Sequence, residues 1–205
     1  PGATTAQTAG LGSGATFPVG TTIETYTVTD VVGLTASCSF TITVNDTEDP
    51  TIACPANITM GTDPSSCDAI VTFTAPTGMD NCPSSTTVQS AGLASGSTYP
   101  LGTTVNTFVV TDASGNSATC SFAVTIDDTQ KPTITCPSDV TVVNDAGDCS
   151  AVVNYTAPVG TDNCTGATTA QTAGLGSGAI LPVGTTTEEY TVTDNSGNIA
   201  TCTFT

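Results

Sequence analysis

The sequence lacks basic and aromatic residues to an unusual degree. Its 205 residues include no histidine, arginine or tryptophan, and Lys131 alone faces eighteen acidic residues, for a net charge of −17 at pH 7. Such a surface cannot neutralise phosphates, which excludes nucleic acid and anionic membranes as partners. No apolar run reaches the ~18–20 residues of a membrane span, so we expect no membrane insertion in this segment.

The absence of histidine also argues against catalysis. Serine and cysteine nucleophiles need a neighbouring base, and none is present here. The glycine-rich stretch "LGSGA", at 11–15 and 175–179, superficially resembles a nucleophile elbow or a phosphate loop, but it also lacks the lysine of a phosphate loop. A loop between strands explains it better. We therefore predict that the chain is not an enzyme and has no catalytic residues.

Cysteine, by contrast, is plentiful. The chain has nine cysteines but no C-x-x-C pair and no histidine to complete a zinc site. Disulfides are the better interpretation, and they indicate an oxidising location that is extracellular or on the cell surface. Aromatic residues make up only 5% of the chain, so each core is thin and covalent cross-links are expected to support it.

A repeat of 82 residues organises the whole sequence. The similar stretches "TDVVGLTASCSF", "TDASGNSATCSF" and "TDNSGNIATCTF" begin at 29, 111 and 193. A period of this length indicates tandem small domains. The predicted units are the C-terminal half of one unit at 1–45, a complete unit at 46–127, and a unit lacking the end of its last strand at 128–205. We expect a segment of a longer polypeptide, with strand donation between chains as the alternative.

Within the complete unit, short stretches alternate apolar and polar residues. In "CDAIVTFTAP" (67–76), Ala69, Val71 and Phe73 share one face. In "SATCSFAVTI" (117–126) the residues that share one face are Cys120, Phe122, Val124 and Ile126. Turn signals separate the strands every 8–12 residues, and no stretch has helical periodicity. These patterns predict an all-β fold of tandem immunoglobulin-like, fibronectin type III-like β-sandwiches joined by short acidic linkers.

The alternation also suggests how the cysteines pair. Cys54 on the first strand and Cys120 on the last both face inward, and these strands can run side by side in such sandwiches. The other two cysteines of each unit flank the second strand, and Cys38 is left for a partner upstream. The predicted bonds are Cys54–Cys120, Cys136–Cys202, Cys67–Cys82 and Cys149–Cys164. Four cysteines allow three connectivities, so this pairing is a hypothesis.

Several stretches resemble a known family. "DTEDPTIACPANITM", "DAGDCSAVVNYTAPVGTDNC" and "FPVGTTIETYTVTD…CSFTITV" are similar to the hyalin repeat (HYR) domain, an immunoglobulin-like extracellular module. The resemblance covers essentially the whole chain and implies a non-catalytic role in cell adhesion or extracellular matrix. It also supports the first predicted bond, since members with two cysteines keep those at Cys54 and Cys120. Near-identical units with four cysteines resemble long bacterial surface proteins.

Calcium is the one cofactor that the sequence suggests. At one end of the sandwich, the entering linker, the loop after the second strand and the final hairpin turn gather oxygen ligands without basic neighbours, which suits a hard cation. The candidates are Asp46, Glu48, Asp49, Asp80, Asn81, Asp112 and Asn116, followed in the next unit by Asp127, Asp128, Asp162, Asn163, Asp194 and Asn198. Turn chemistry is the competing interpretation, because Asp and Asn bind their own backbone amides whatever ion is present.

Two hypotheses for function follow. The first is a structural repeat segment of a long surface stalk, adhesin or filament, stiffened by disulfides, whose partners are the neighbouring units. The second is a binding module whose repeated loops recognise a glycan or a protein. It predicts an exposed aromatic patch that recurs in each unit. The few aromatic residues mostly fall at inward positions, with Tyr99 as the best exception, and this favours the structural hypothesis.

Overall fold

The fold is entirely β. The computed structural model describes residues 2–205, which form fourteen strands and no helix. Among these residues, therefore, no helix is long and apolar enough to cross a membrane. The all-β prediction is confirmed. It rested on the alternation of β-branched and apolar residues with short polar turns, which suits half-buried strands.

The strands occur in chain order along two compact units. They are β1 Thr4–Ala9, β2 Gly20–Thr29, β3 Thr35–Val44, β4 Ile58–Gly61, β5 Asp68–Val71, β6 Thr86–Ala91, β7 Ser97–Pro100, β8 Gly102–Thr111, β9 Ser117–Asp127, β10 Ser150–Val152, β11 Thr168–Ala173, β12 Ile180–Pro182, β13 Glu188–Thr193 and β14 Ile199–Phe204. The first unit holds the chain up to Ala53 together with Thr77–Val88 and Val109–Thr119, and the second holds Cys54–Pro76, Gln89–Phe108 and Cys120–Thr205.

Strands β1, β2 and β3 form an antiparallel meander in which Tyr26 lies opposite both Gln7 and Cys38. The rings of Tyr26 and Phe40 stack on one face of this sheet, with their centroids 6.3 Å apart. Phe40 is 52% exposed there. The sheet β11-β13-β14 repeats the same pairing and the same register shift, between Gln171 and Ala173.

The middle repeat contains a four-stranded sheet in the order β4-β9-β8-β6 and a two-stranded sheet of β5 and β7. Strand β4 runs parallel to β9, with Ile58 opposite Val124, so the first and last strands lie side by side as predicted. The first strand begins only at Ile58, after Pro55, which cannot donate to a ladder. The turn-rich segment before β8 contains a strand, β7, because it pairs with β5.

The core of the second unit is built on aromatic triads. The ring centroids of Phe73 and Phe122 lie 5.0 Å apart in an edge-to-face arrangement, and Phe108 stacks against Phe122 at 6.4 Å. The next repeat has Tyr155, Tyr190 and Phe204 in the same arrangement, at 4.9 and 6.4 Å from the shared phenylalanine. Each such aromatic pair contributes about 0.5–1.5 kcal/mol to stability beyond the effect of its buried area. This is a large share of the stability of so thin a core.

Tyr99 is not an exposed aromatic residue. It is fully buried, at 0% exposure, because it points inward from β7 while its neighbours Thr98 and Pro100 point outward. Its hydroxyl donates to the backbone carbonyl of Leu93 and to Oδ1 of Asn106. The aromatic residue that best suited a recurring binding patch is therefore part of the core.

The disulfides differ from the predicted pairing in one respect. Cys54 is bonded to Cys120 and Cys136 to Cys202, as the inward-facing parity suggested. Cys67, however, is bonded to Cys164, across a sequence separation of 97. The structure therefore replaces the predicted Cys67–Cys82 and Cys149–Cys164 bonds, and Cys38, Cys82 and Cys149 are unpaired. The physical reason is that the loop before β5 extends onto the following repeat and not back onto its own.

Candidate functional site

The predicted metal ligands at the hairpin turns serve the turns themselves. Oδ1 of Asp112 accepts hydrogen bonds from the backbone amides of Ser114 at 2.9 Å and Asn116 at 2.8 Å, and its Oδ2 accepts one from the Asn116 side chain at 2.8 Å. Asp194 repeats this arrangement. The turn at Asp30 keeps the same two backbone bonds although leucine replaces the asparagine. The aspartate at each turn therefore shapes the hairpin.

The pKa of these turn carboxyls reflects the same contacts. Burial acts to raise the pKa of Asp112, but hydrogen bonds from the Asn116 side chain and from three backbone amides of the turn outweigh it and hold the pKa below its usual value. The pKa of Asp194 is lowered for the same reasons. The turn amides thus stabilise both charged carboxylates without an ion, which favours turn chemistry at these two positions.

The turn asparagines have a second role. The side-chain amide of Asn116 donates to the backbone carbonyl of Asp46 at 3.3 Å, and that of Asn198 donates to the carbonyl of Asp128 at 3.1 Å. Each bond spans 70 residues of sequence. These bonds hold the hairpin turn against the linker that enters the same repeat.

Two aspartates approach each other beside the first of these linkers. Asp46 and Asp80 place a carboxylate oxygen each within 4.8 Å of the other and of the Cys82 sulfur. One oxygen of each carboxylate is satisfied locally, since Asp46 accepts from the amide of Glu48 and Asp80 from that of Cys82. The second oxygen of each, Oδ2 of Asp46 and Oδ1 of Asp80, is buried without a hydrogen-bond partner. We call this pair the first acidic cluster.

The next repeat contains the same arrangement, the second acidic cluster, formed by Asp128 and Asp162 with the sulfur of Cys164. Oδ1 of Asp128 accepts from the amide of Gln130 at 3.1 Å, and Oδ2 of Asp162 from that of Cys164 at 2.9 Å. The remaining oxygens, again Oδ2 and Oδ1, are buried without a partner. Because Asp128 is only 6% exposed, its unpaired oxygen is held away from solvent. Leaving buried acceptors unsatisfied is costly, so their recurrence at equivalent atoms points to a ligand.

The other predicted ligands do not join these clusters. Glu48 accepts a hydrogen bond from the side chain of Asn81 at 3.0 Å, and Asn163 donates to the carbonyl of Ser66 at 2.7 Å. Asp49 and Asp127 belong to neither cluster. The structure thus brings together two of the candidate carboxylates in each repeat.

The chemistry of the clusters is that of oxygen ligands. The sulfur of Cys164 is bonded to Cys67 and is not a thiolate. The neighbouring Asp46 carboxylate, burial and the other nearby negative charges raise the pKa of Cys82, so its thiolate is disfavoured too. Paired carboxylate oxygens suit a hard cation such as Ca²⁺, whereas zinc prefers thiolate and imidazole.

A buried polar network, which the sequence analysis did not anticipate, recurs at the same period. Glu24, Asn106 and Glu188 are only 0–2% exposed. The carboxylate of Glu188 accepts hydrogen bonds from four donors, which are the amides of Leu175 and Gly176, Nε2 of Gln171 and the hydroxyl of Tyr155. Burial, together with the hydrogen bonds to Tyr190 and Glu188, raises the pKa of Tyr155, which therefore stays a donor.

This network explains the glycine-rich stretches. The backbone at Gly174 has φ of +95°, and a Cβ there would lie 2.4 Å from the Glu188 carboxylate. The segment "LGSGA" that follows is therefore a loop that wraps a buried acid, and it lies between strands β11 and β12, as predicted. The regular spacing of Gln7, Gln89 and Gln171 was the sequence signal for this network, since each amide donates to the buried residue of its repeat.

Solved structures give a loose match. A structure of protocadherin gammaB7 EC3-6 superposes with a TM-score of 0.36 at 17% identity, covering 90% of this chain and 58% of that one. Human CDH23 EC21-23 gives a TM-score of 0.35 at 13% identity, with coverage of 90% and 74%. Superpositions as loose as these carry no information about ligands or assembly.

Comparison at the level of sequence is decisive. Hyalin of Strongylocentrotus purpuratus is 38% identical over 199 residues, or 94% of this chain and 16% of that protein. Hyalin of Lytechinus variegatus is 36% identical over 198 residues, covering 94% and 37%. The chain thus spans well under half the length of these relatives. The HYR domain model matches residues 2–44, 45–126 and 127–205, and the chain therefore belongs to the HYR domain family.

Proposed function

We propose that this segment is a structural, non-catalytic part of a long extracellular stalk, adhesin or filament, built from units at 1–45, 46–127 and 128–205. The observation that supports this most directly is the bond from Cys67 to Cys164, since it connects cysteines of successive repeats. A bond of this kind restricts motion between repeats, which a stalk needs. Three disulfides and the similarity to hyalin favour an extracellular location.

The surface charge fits the same role. A net charge of −17 keeps copies of the chain soluble and apart, so that length is added along one chain and not by lateral clustering. The burial of Tyr99 removes the main candidate for a repeated aromatic contact, so the loops offer little for a glycan-binding module. External surface proteins or glycans, where the parent protein binds them, would then be recognised outside this segment.

Small-angle X-ray scattering of the purified segment tests the stalk proposal. We expect the oxidised protein to scatter as a particle with restricted interdomain motion, and the same protein after reduction to show the signature of a flexible chain of domains. Circular dichroism before and after reduction controls for loss of the fold. A fully flexible profile for the oxidised protein would contradict the proposal.

Calcium is the ion that we propose for the two acidic clusters. Each cluster supplies two carboxylates with one unpartnered, buried oxygen apiece, and Ca²⁺ takes six to eight oxygen ligands that water and backbone carbonyls can complete. The clusters lie beside the linkers, where the turn asparagines already fasten the hairpin. A bound cation would remove the repulsion between the paired carboxylates and stiffen the joint.

Calcium is therefore expected to stabilise the segment. With an affinity typical of extracellular sites, 10 mM CaCl₂ should add about 1–3 kcal/mol to the free energy of unfolding, relative to EDTA. The double variant Asp128→Asn/Asp162→Asn should lose the part of this calcium-dependent stabilisation that the second acidic cluster contributes. The matched control is Asp49→Asn, which removes a charge outside the clusters and should keep the full response. An equal melting temperature in calcium and in EDTA would refute the calcium site and leave the stalk proposal standing.

A further inference from the structure

The bond from Cys67 to Cys164 is the centre of a larger joint. The loop at 62–67, here called the junction loop, precedes β5 and contacts residues of the following repeat. The side chain of Gln130 donates to Oγ1 of Thr62 at 3.0 Å and to the carbonyl of Asp63 at 2.8 Å, and it accepts from the amide of Ser65 at 3.0 Å. One glutamine thus binds the junction loop at three points, which fixes its position before the disulfide is considered.

The receiving side of the joint is the loop that carries Cys164. Asn163 donates to the carbonyl of Ser66 at 2.7 Å, next to the disulfide. The loop itself is held by an isolated bridge between Thr133 and Thr161 and by the amide of Cys164, which donates to Asp162 at 2.9 Å. The receiving side therefore has a defined conformation to which the junction loop binds.

The repeat places a second junction loop at 144–149, where Cys149 occupies the position of Cys67. This loop has the same internal hydrogen bonds. The amide of Asp145 donates to the carbonyl of Ser150 at 2.8 Å, as Asp63 does to Asp68 at 2.7 Å. The Asp145 carboxylate accepts from the amide of Val152 at 3.1 Å, matching the bond from Ile70 to Asp63 at 2.9 Å. Cys149 is exposed and unpaired, so this loop adopts its conformation without a bonded partner.

A second receiving side lies at Cys82, the position that corresponds to Cys164. Its loop is held by the bridge between Thr51 and Met79, and the amide of Cys82 donates to Asp80 at 2.8 Å. These contacts correspond to those around Cys164. Cys82 is half-buried and unpaired. The chain therefore has one joint closed by a disulfide and, at equivalent positions, one free junction loop and one free receiving side.

We propose that Cys149 and Cys82 are the two open halves of this same joint, each forming a disulfide with the complementary cysteine of a further repeat of this kind. Repeats would then be cross-linked to their neighbours at every junction. The thiolate of Cys149 attacks a small-molecule disulfide and releases one thiol. The thiolate of the complementary cysteine then attacks the Cys149 sulfur and releases the second thiol, so that two protein thiols are oxidised and one disulfide is reduced.

The two receiving sides differ at the residue that binds the junction loop, and we expect this difference to change how firmly each side binds it. At the receiving side that carries Cys82, Glu48 occupies the position of Gln130. A carboxylate can accept from the junction-loop amide but cannot donate to the loop's carbonyl and hydroxyl oxygens, as Nε2 of Gln130 does. The joint at Cys82 should therefore form less readily than the joint at Cys164, and Glu48→Gln should correct the difference.

Two copies of the chain test the proposal. One copy keeps Cys149 as its only unpaired thiol, through Cys38→Ser and Cys82→Ser. An isotope-labelled copy keeps only Cys82, through Cys38→Ser and Cys149→Ser. The copies are mixed in a glutathione redox buffer. We expect the Cys149–Cys82 heterodimer to exceed each homodimer by about tenfold or more, where random pairing gives a ratio of two. Adding Glu48→Gln to the second copy should increase the excess.

The control is a copy with Cys38 as its only unpaired thiol, which should give no excess with the Cys149 copy. Peptide mapping must find the Cys67–Cys164 bond intact in every variant, so that a failure to fold is not mistaken for a failure to pair. A random mixture, or no heterodimer, would overturn the proposal. The inference rests on the proposed stalk function and deepens it, but the two can fail separately. Specific Cys149–Cys82 pairing, found together with a flexible X-ray scattering profile, would count against the stalk alone.

Discussion

Removing the Cys67–Cys164 bond by a double Cys67→Ser/Cys164→Ser substitution is expected to lower the free energy of unfolding by about 3–5 kcal/mol. The bond spans a sequence separation of 97, so its loss returns a large conformational entropy to the unfolded chain. Guanidinium denaturation followed by tyrosine fluorescence measures the change, since the chain contains no tryptophan. We also expect a broader or divided transition, because the bond couples the unfolding of successive repeats.

The repeat supplies a matched control for this variant. The double substitution Cys82→Ser/Cys149→Ser removes the same residue types from equivalent positions that are unpaired in this chain. Its free energy of unfolding should stay within about 0.5 kcal/mol of the parent, as for other substitutions that break no contact. If both double variants lose the same free energy of unfolding, the Cys67–Cys164 disulfide is not what stabilises the joint between the repeats.

Replacing Glu188 with leucine is also expected to have a large effect, lowering the free energy of unfolding by about 3–5 kcal/mol. The substitution leaves two backbone amides, the Gln171 side chain and the Tyr155 hydroxyl without their shared acceptor in a buried site. Unsatisfied buried donors cost more than the lost hydrogen bonds themselves. Thermal and chemical denaturation of the full chain measure the effect.

A conservative variant and the middle repeat sharpen this prediction. Glu188→Gln keeps one acceptor oxygen and should cost only about 1–2 kcal/mol. In the middle repeat a neutral amide occupies the equivalent position. There, Oδ1 of Asn106 accepts hydrogen bonds from the amide of Leu93, Nε2 of Gln89 and the hydroxyl of Tyr99. A loss below about 1 kcal/mol for the leucine variant would mean that the network does not hold the glycine-rich loop.

The sequence predicted the strands and the core well, because both follow from short-range alternation. In β9, the burial of Phe122, Val124 and Ile126 on one face is a direct consequence of the two-residue period. The strand β7 was harder to predict, since its pairing with β5 is non-local and its sequence is rich in turn residues. Tyr99 was misplaced for that reason: its direction depends on a pairing that local pattern does not encode.

The joint between repeats could not be predicted from the sequence for a different reason. Because cysteines recur at every 82 residues, Cys67 has two equivalent candidates, Cys82 in its own repeat and Cys164 in the next. Alternation orders side chains within a strand but does not say which way a loop extends. Only the contacts of Gln130 and Asn163 with the junction loop decide between the two.

The candidate calcium ligands show the same limit. Residue type and position in loops placed all four aspartates of the two clusters among the candidate ligands. Composition alone could not separate Asp46 and Asp80, which retain an unpartnered buried oxygen each, from Asp112, whose oxygens are engaged by its own turn. That difference depends on which backbone amides lie within reach.

Disulfide mapping of the oxidised chain tests the covalent joint most directly. The protein is denatured without reductant, its free thiols are alkylated, and the peptides are identified by mass spectrometry. For the monomeric protein, isolated from any cross-linked copies, we predict three alkylated cysteines, Cys38, Cys82 and Cys149, and one peptide pair that links Cys67 to Cys164. A single alkylated cysteine at Cys38, with Cys67 linked to Cys82 and Cys149 to Cys164, would contradict the joint.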